Sequence, residues 1–189
     1  MDDLLRQFLA DVDELGPTPD PTALTAAVSA FTIDRDYWDH QIEVADGKTV
    51  SLHRPERGVQ LALVRRTDGR MSYVHSHQVW VALSAVAGVE THRRYDVAHV
   101  HDDVVDVHLA EERRLHGGDG DVVVLVPPQD VHSHGHVRGS GDWPYTLIVL
   151  GDDQLRYRRE EYDLVHHRRH VLEPGDRGTN DLPEPVSEA

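Results

Sequence analysis

Two histidines one residue apart, His75 and His77, sit inside a strand-like segment. On a strand, residues i and i+2 point to the same face, so both imidazoles project together. The run that follows, Gln78-Val79-Trp80-Val81-Ala82-Leu83, reads as a buried strand, so the shared face looks into a core. Two imidazolium groups buried side by side are costly, whereas two neutral imidazoles sharing a cation are not. The pair reads as half of a metal site. The bland alternative is an exposed edge strand with two solvated histidines. A third ligand is available in GGDGDVVVLVPPQDVHSHGHV (117–137), where a Gly/Asp turn, an apolar strand and Pro-Pro lead to His132. His132, His134 and His136 alternate and so share one face; spacing alone does not say which of them binds. His132, nearest the proline turn, is the best choice. A site role and a solvated role stay equally open for His134 and His136.

The other histidines have weaker cases. His99 and His101 form a second same-face pair followed by Asp102 and Asp103, and a solvated hairpin is the simpler reading. His92 and His108 flank that segment. His166, His167 and His170 lie in VHHRRHV, which reads as surface, and His40, His53 and His116 have no nameable partner.

The elements that must position these residues change character near residue 47. Before it, Leu4, Leu5, Phe8, Leu9, Val12 and Leu15 recur at helical spacing behind Asp2 or Asp3 as cap. Asp20-Pro21 reads as an N-cap with proline at the first helical position, opening a second helix over 21–31. A short third helix is expected around 34–41. From there on, strands are expected at 48–53, 59–66, 71–76, 78–86, 89–96, 104–109, 121–126, 130–137 and 144–150, separated by Gly and Asp-Gly punctuation. Residues 155–170 are charged, with room for short strands. The expected organisation is a helical segment (1–46) packed on a β domain (47–170) of sandwich, jelly-roll or barrel type, then a flexible tail (171–189) rich in Pro, Gly and acidic residues.

Composition narrows the chemistry. With 34 acidic against 19 basic residues the net charge is −15, and protonating all 15 histidines would cancel it. Such an acidic chain is a poor ligand for nucleic acid or anionic membranes. No apolar run is long enough to span a bilayer, and MDDLLRQFLADVDEL puts acids where a signal peptide needs positive charge, so a cytoplasmic protein is expected. There is no cysteine, which excludes disulfides, cysteine-ligated zinc, iron–sulfur sites and a cysteine nucleophile. Any metal must be held by His, Asp or Glu.

At His75, His77 and Gly88, and again at Gly120, Pro127 and His132, the chain resembles the cupin superfamily of double-stranded β-helix (jelly-roll) metalloproteins. The glutamate of the first cupin motif falls on Val81 or Ala82, so that ligand is missing. Among three-histidine cupins, VHSHQVWVALSAVAGVETHRRYD (74–96) and GDVVVLVPPQDVHSHG (120–135) look like the type I cysteine dioxygenase family. The approach LHRPERGVQLALVRRTDGRMSYVH (52–75) and the N-terminal helices fit it as well.

That resemblance implies a mononuclear non-haem Fe(II) centre held by His75, His77 and His132, oxidising a small thiol or related small acid with O₂. Zinc, nickel, manganese and copper also accept imidazole. The substrate's carboxylate would meet the family's arginine, for which Arg54 is the nearest match and Arg57 the second; Arg65 and Arg66, adjacent on a strand, point to opposite faces, so one could enter the site. The family's Ser-x-His-x-Tyr string falls on Thr146, Ile148 and Leu150, so its outer histidine and tyrosine are absent, with Tyr145 the nearby hydroxyl. The cysteine that some members cross-link to tyrosine falls on Ala82. These departures leave open a different metal-dependent cupin, such as an isomerase or hydrolase using zinc, manganese or nickel, or a non-enzymatic metal- or ligand-binding module. Association of copies through barrel edges is a further expectation.

Overall fold

A computed structural model describes residues 2–67, 69–137, 139, 141–176 and 178. Three helices come first: α1 (Asp3–Glu14), α2 (Pro21–Thr32) and α3 (Arg35–Ala45). Each starts at an aspartate whose carboxylate accepts free backbone N–H groups of the first turn: Asp2 from Leu4, Asp20 from Thr22 and Ala23, Asp34 from Tyr37. The third helix runs past its expected end at 41 and stops at Asp46, which takes a left-handed conformation. Aromatic rings join the helices. Phe8 stacks on Phe31 with centroids 4.2 Å apart, and Trp38 meets Phe31 edge-on while its Nε1–H donates to the Phe31 carbonyl.

Eleven strands follow among the described residues: β1 (Val50–His53), β2 (Gln60–Arg65), β3 (Val74–His75), β4 (Val81–Ala87), β5 (Val89–His101), β6 (Val104–His116), β7 (Val123–Leu125), β8 (His132–Gly135), β9 (Tyr145–Leu150), β10 (Arg159–Asp163) and β11 (Arg168–Leu172). Five form an antiparallel sheet in the order β1-β2-β9-β4-β7. The other six close on one another in the order β10-β11-β6-β5-β8-β3. The chain is mainly β with N-terminal helices, as expected, and its strands form two antiparallel sheets. Residues 179–189, most of the expected tail, lie outside the described residues.

Period-2 alternation divides the core in two. Leu61, Leu63, Ala82, Val86, Leu147 and Val149 face the helices and join Phe8, Leu24, Val28 and Trp38. Their alternates Val81, Leu83, Ala85, Ile148 and Leu150 face the other way, onto Leu115 of β6. Helices thus cover one face of the first sheet, and its other face packs against β6 of the closed ring. Gly88, between β4 and β5, has φ +67, and a Cβ there would collide with the Trp143 carbonyl.

Further elements differ from expectation, among them the strand expected at 71–76, of which only Val74–His75 pairs as β3. The β5–β6 hairpin extends to His101 and back from Val104, beyond the expected limits of 96 and 109. Its tip is exposed, but Val97, Val105 and Val107 alternate onto a small cluster with Val74, Val131 and Tyr162, which carries the pairing outward. In the charged stretch 155–170, β10 pairs with β3 as well as with β11 and closes the ring. That pairing places Glu161 opposite His75, while β8 places His132 on the other side of His75.

Candidate metal centre

Six of the fifteen histidines are buried: His75, His77, His92, His132, His134 and His136. Three of them converge. Ring nitrogens of His75, His77 and His132 lie within 4.8 Å of one another. The ring centroids are 4.7 Å apart for His75 and His77, 4.5 Å for His75 and His132, and 5.0 Å for His77 and His132. The strands explain this convergence. His75 on β3 is the direct cross-strand partner of His132, while His77 lies two residues past the end of β3, just before the left-handed Gln78.

The far side of each ring fixes its tautomer. His75 Nδ1 lies 2.8 Å from the Tyr73 carbonyl and His132 Nδ1 lies 2.8 Å from the Asp130 carbonyl. A carbonyl only accepts, so both Nδ1 atoms carry the proton. His77 Nδ1 bonds Gln154 Oε1 in the same sense. In the neutral rings, every Nε2 then carries a lone pair rather than a proton. Two of these, on His75 and His77, are 3.1 Å apart, and His132 Nε2 is buried with no hydrogen-bond partner. Facing lone pairs repel unless they share a cation. Nitrogens at this spacing match neighbouring ligands of one ion with bonds of about 2.0–2.1 Å. The residues therefore fit a metal ion, with carbonyl or amide oxygens orienting each ring from behind.

Electrostatics agree. Burial pushes the pKa of His75 and of His132 well below the ordinary histidine value, and the neighbouring imidazoles push further. Both rings are neutral at pH 7, the form a metal needs. Arg66 adds to the downward push on His75, and it is the member of the Arg65–Arg66 pair whose field reaches the centre. Arg65 instead lies over the Tyr145 ring, 4.6 Å from its centroid.

Asp130 links the two histidine motifs. Its Oδ2 accepts the backbone N–H groups of His77 at 2.8 Å and Gln78 at 2.9 Å, while its carbonyl accepts the hydrogen bond of His132 Nδ1–H. Gln78 is held at φ 60, a left-handed conformation rare outside glycine, at the point where the chain leaves His77. Sequence reading passed over Asp130, although it lies two residues before His132 in PPQDVH.

The remaining buried histidines line the same wall. His134 Nδ1 donates to Glu90 Oε1 at 2.8 Å, and Thr146 Oγ1 donates to the other oxygen of Glu90. Burial lowers the His134 pKa, partly opposed by Glu90. His136 packs its ring 4.3 Å from Trp143. His92, read from sequence as one of the weaker cases, is 2% exposed and stacks on His132 with centroids 5.2 Å apart. Burial, with charge from His134, holds its pKa down to about 3. Polar and charged neighbours, Thr91 and Arg93, hid its burial. The exposed His99, His101, His166 and His167 belong to solvated hairpins.

Of the two further residues singled out in the sequence, neither contacts the three rings directly. Arg54 is exposed and lines a cavity of about 270 Å³ with His53, Gln60, Ile148, Asp153 and Gln154. Gln154 joins that cavity to His77. Tyr145 turns to the helix side of β9, where its hydroxyl accepts the Gly47 N–H at 3.0 Å. Alternation explains its absence from the centre, because Thr146 is the inward residue.

No protein-family model matches the chain, and no curated protein matches it significantly. Solved structures do resemble it. An RmlC-like cupin protein from Ralstonia eutropha is 19% identical with a TM-score of 0.39, over 65% of this chain. This chain spans 64% of that protein's length. A protein with a double-stranded β-helix domain from Klebsiella pneumoniae is 12% identical, with a TM-score of 0.40 and coverage of 58% and 82%. The L-ribose isomerase of Cellulomonas parahominis is 14% identical, with a TM-score of 0.37 and coverage of 55% and 59%. None of these names a substrate or reaction for this chain. Among the described residues, no helix is long and apolar enough to cross a membrane.

Proposed function

We propose that the protein is a mononuclear metal-dependent cupin enzyme in which His75, His77 and His132 hold Fe(II) for oxidation of a small thiol or related small acid by O₂. The observation that carries this reading is the set of three imidazoles with outward-bonded Nδ1 atoms and converging Nε2 lone pairs. Three neutral ligands leave the full positive charge on a divalent ion and leave coordination positions free. Such a centre favours anionic ligands, and bound iron would supply the redox chemistry that O₂ requires. The protein's part is to hold the ligands and place the substrate, so that reactants meet as neighbours. Arg66, whose field reaches His75, and Arg54, at the cavity joined to His77 by Gln154, are the two cations offered to a substrate carboxylate.

One observation favours a second reading. The buried Glu90–His134 pair is an acid–base couple beside the three histidines. It suits a proton-transfer reaction, such as isomerisation at a zinc, manganese or nickel centre. Anaerobic loading with Fe(II), followed by O₂ uptake with cysteine, 3-mercaptopropionate and cysteamine, separates the two readings. Uptake dependent on one of these thiols is expected, and no uptake with any of them rejects thiol dioxygenation.

A further inference from the structure

His92 stands opposite His134 in the β5–β8 ladder, and its ring lies nearly parallel to that of His132, at an interplanar angle of 19°. Its Nε2 is buried and has no hydrogen-bond partner in the structure, like Nε2 of His132 beside it. A buried polar atom without a partner is costly to the fold and calls for something to satisfy it. His134, its cross-strand neighbour, does not serve: its Nδ1 is engaged by Glu90 and its Nε2 makes no hydrogen bond to His92. His92 also stands outside the group of three whose ligand atoms come within 4.8 Å of one another. It is therefore placed beside the metal ligands without joining them. The first motif carries Val81 and Ala82 where a carboxylate ligand would stand, so water or a small anion must complete the coordination.

We propose that His92 Nε2 is the hydrogen-bond partner of that exogenous ligand, the water or small anion bound to the metal next to His132. The inference rests on the reading of His75, His77 and His132 as ligands. It assigns to a β5 histidine an outer-sphere task for which Thr146, Ile148 and Leu150 of β9 supply no imidazole.

The test uses the full-length protein loaded with divalent cobalt, whose visible bands report coordination, and azide as the anionic probe. Wild type is compared with His92→Phe, which keeps the stacked ring, and His92→Gln, which keeps an amide near the Nε2 position. All three should bind cobalt equally well with matching bands before azide is added. The azide dissociation constant should rise about tenfold or more in His92→Phe and much less in His92→Gln, as loss of a hydrogen bond to a charged group implies. Unchanged azide affinity in both variants overturns the proposal. So does loss of cobalt affinity or altered bands in His92→Phe, which would make His92 a ligand. If His92→Phe does not fold, His92→Asn replaces it, since its amide cannot reach the Nε2 position; azide affinity equal to that of His92→Gln then overturns the proposal. A wild-type protein that takes up no cobalt refutes the three-histidine reading itself, before any azide is added.

Discussion

At the scale of single residues, the centre depends on groups that hold the imidazoles as much as on the imidazoles themselves. Asp130 is the clearest case, since it restrains His77 and Gln78 through one carboxylate oxygen and His132 through its carbonyl. Asp130→Ala should weaken metal affinity about 10–100-fold, the usual cost of losing an outer partner of a ligand. Asp130→Asn, which keeps an oxygen acceptor, should lose less; chelator-competition titration measures both, and equal affinities in wild type and Asp130→Ala would dismiss its role. Tyr145 makes the opposite case. Its hydroxyl serves Gly47 on the helix side, so Tyr145→Phe should leave metal binding unchanged and cost about 0.5–1.5 kcal/mol in urea unfolding. The pairs His75-x-His77 and His132 were legible because strand alternation and a following apolar run both speak for a shared inward face. Asp130, Gln154, Glu90 and His92 were not legible as partners, because each meets its partner across the fold, through contacts that spacing along the chain does not encode.

At the scale of elements, the same two-residue period sorts β9 into helix-facing Tyr145, Leu147 and Val149 and barrel-facing Thr146, Ile148 and Leu150. The strand's existence could be read from its apolar run; which parity faces the barrel could not, since both faces are buried. Closure of the barrel was equally hidden. β10 is charged, and its pairing with the two-residue β3 depends on backbone bonds that leave no hydrophobic signature. The tight passage from β4 to β5 offers a test. Gly88→Ala must accept a positive φ and displace the Trp143 backbone, so it should destabilise the fold by about 1–3 kcal/mol or more. A thermal midpoint equal to that of wild type would show that the turn yields freely.

At the scale of the molecule, the histidines divide into a solvated set and a buried set, and the buried set makes stability depend on pH. His75, His92, His132 and His134 have pKa values depressed in the folded state, that of His92 to about 3. In the unfolded chain they titrate near 6.5. Above pH 6.5 both states are unprotonated at these sites and the effect vanishes. Below it, the unfolded chain binds protons that the metal-free fold refuses, so stability falls as pH falls, continuing toward the depressed values. Each such histidine contributes roughly 1 kcal/mol per pH unit in that window. The metal-free protein should therefore lose urea resistance steeply between pH 6.5 and 5. A flat profile over that range would mean that these rings are charged in the folded state. Metal, which binds only the folded arrangement, should raise the unfolding midpoint at pH 7 in proportion to its affinity.

The central claim is that three particular histidines, rather than the general abundance of histidine, make a metal centre. Metal content per chain, measured on purified wild type, His132→Ala and His166→Ala after loading with one divalent metal and removal of the excess, tests it most directly. The account predicts about one ion per chain in wild type and in His166→Ala, and none retained in His132→Ala. Metal retained undiminished in His132→Ala would contradict it.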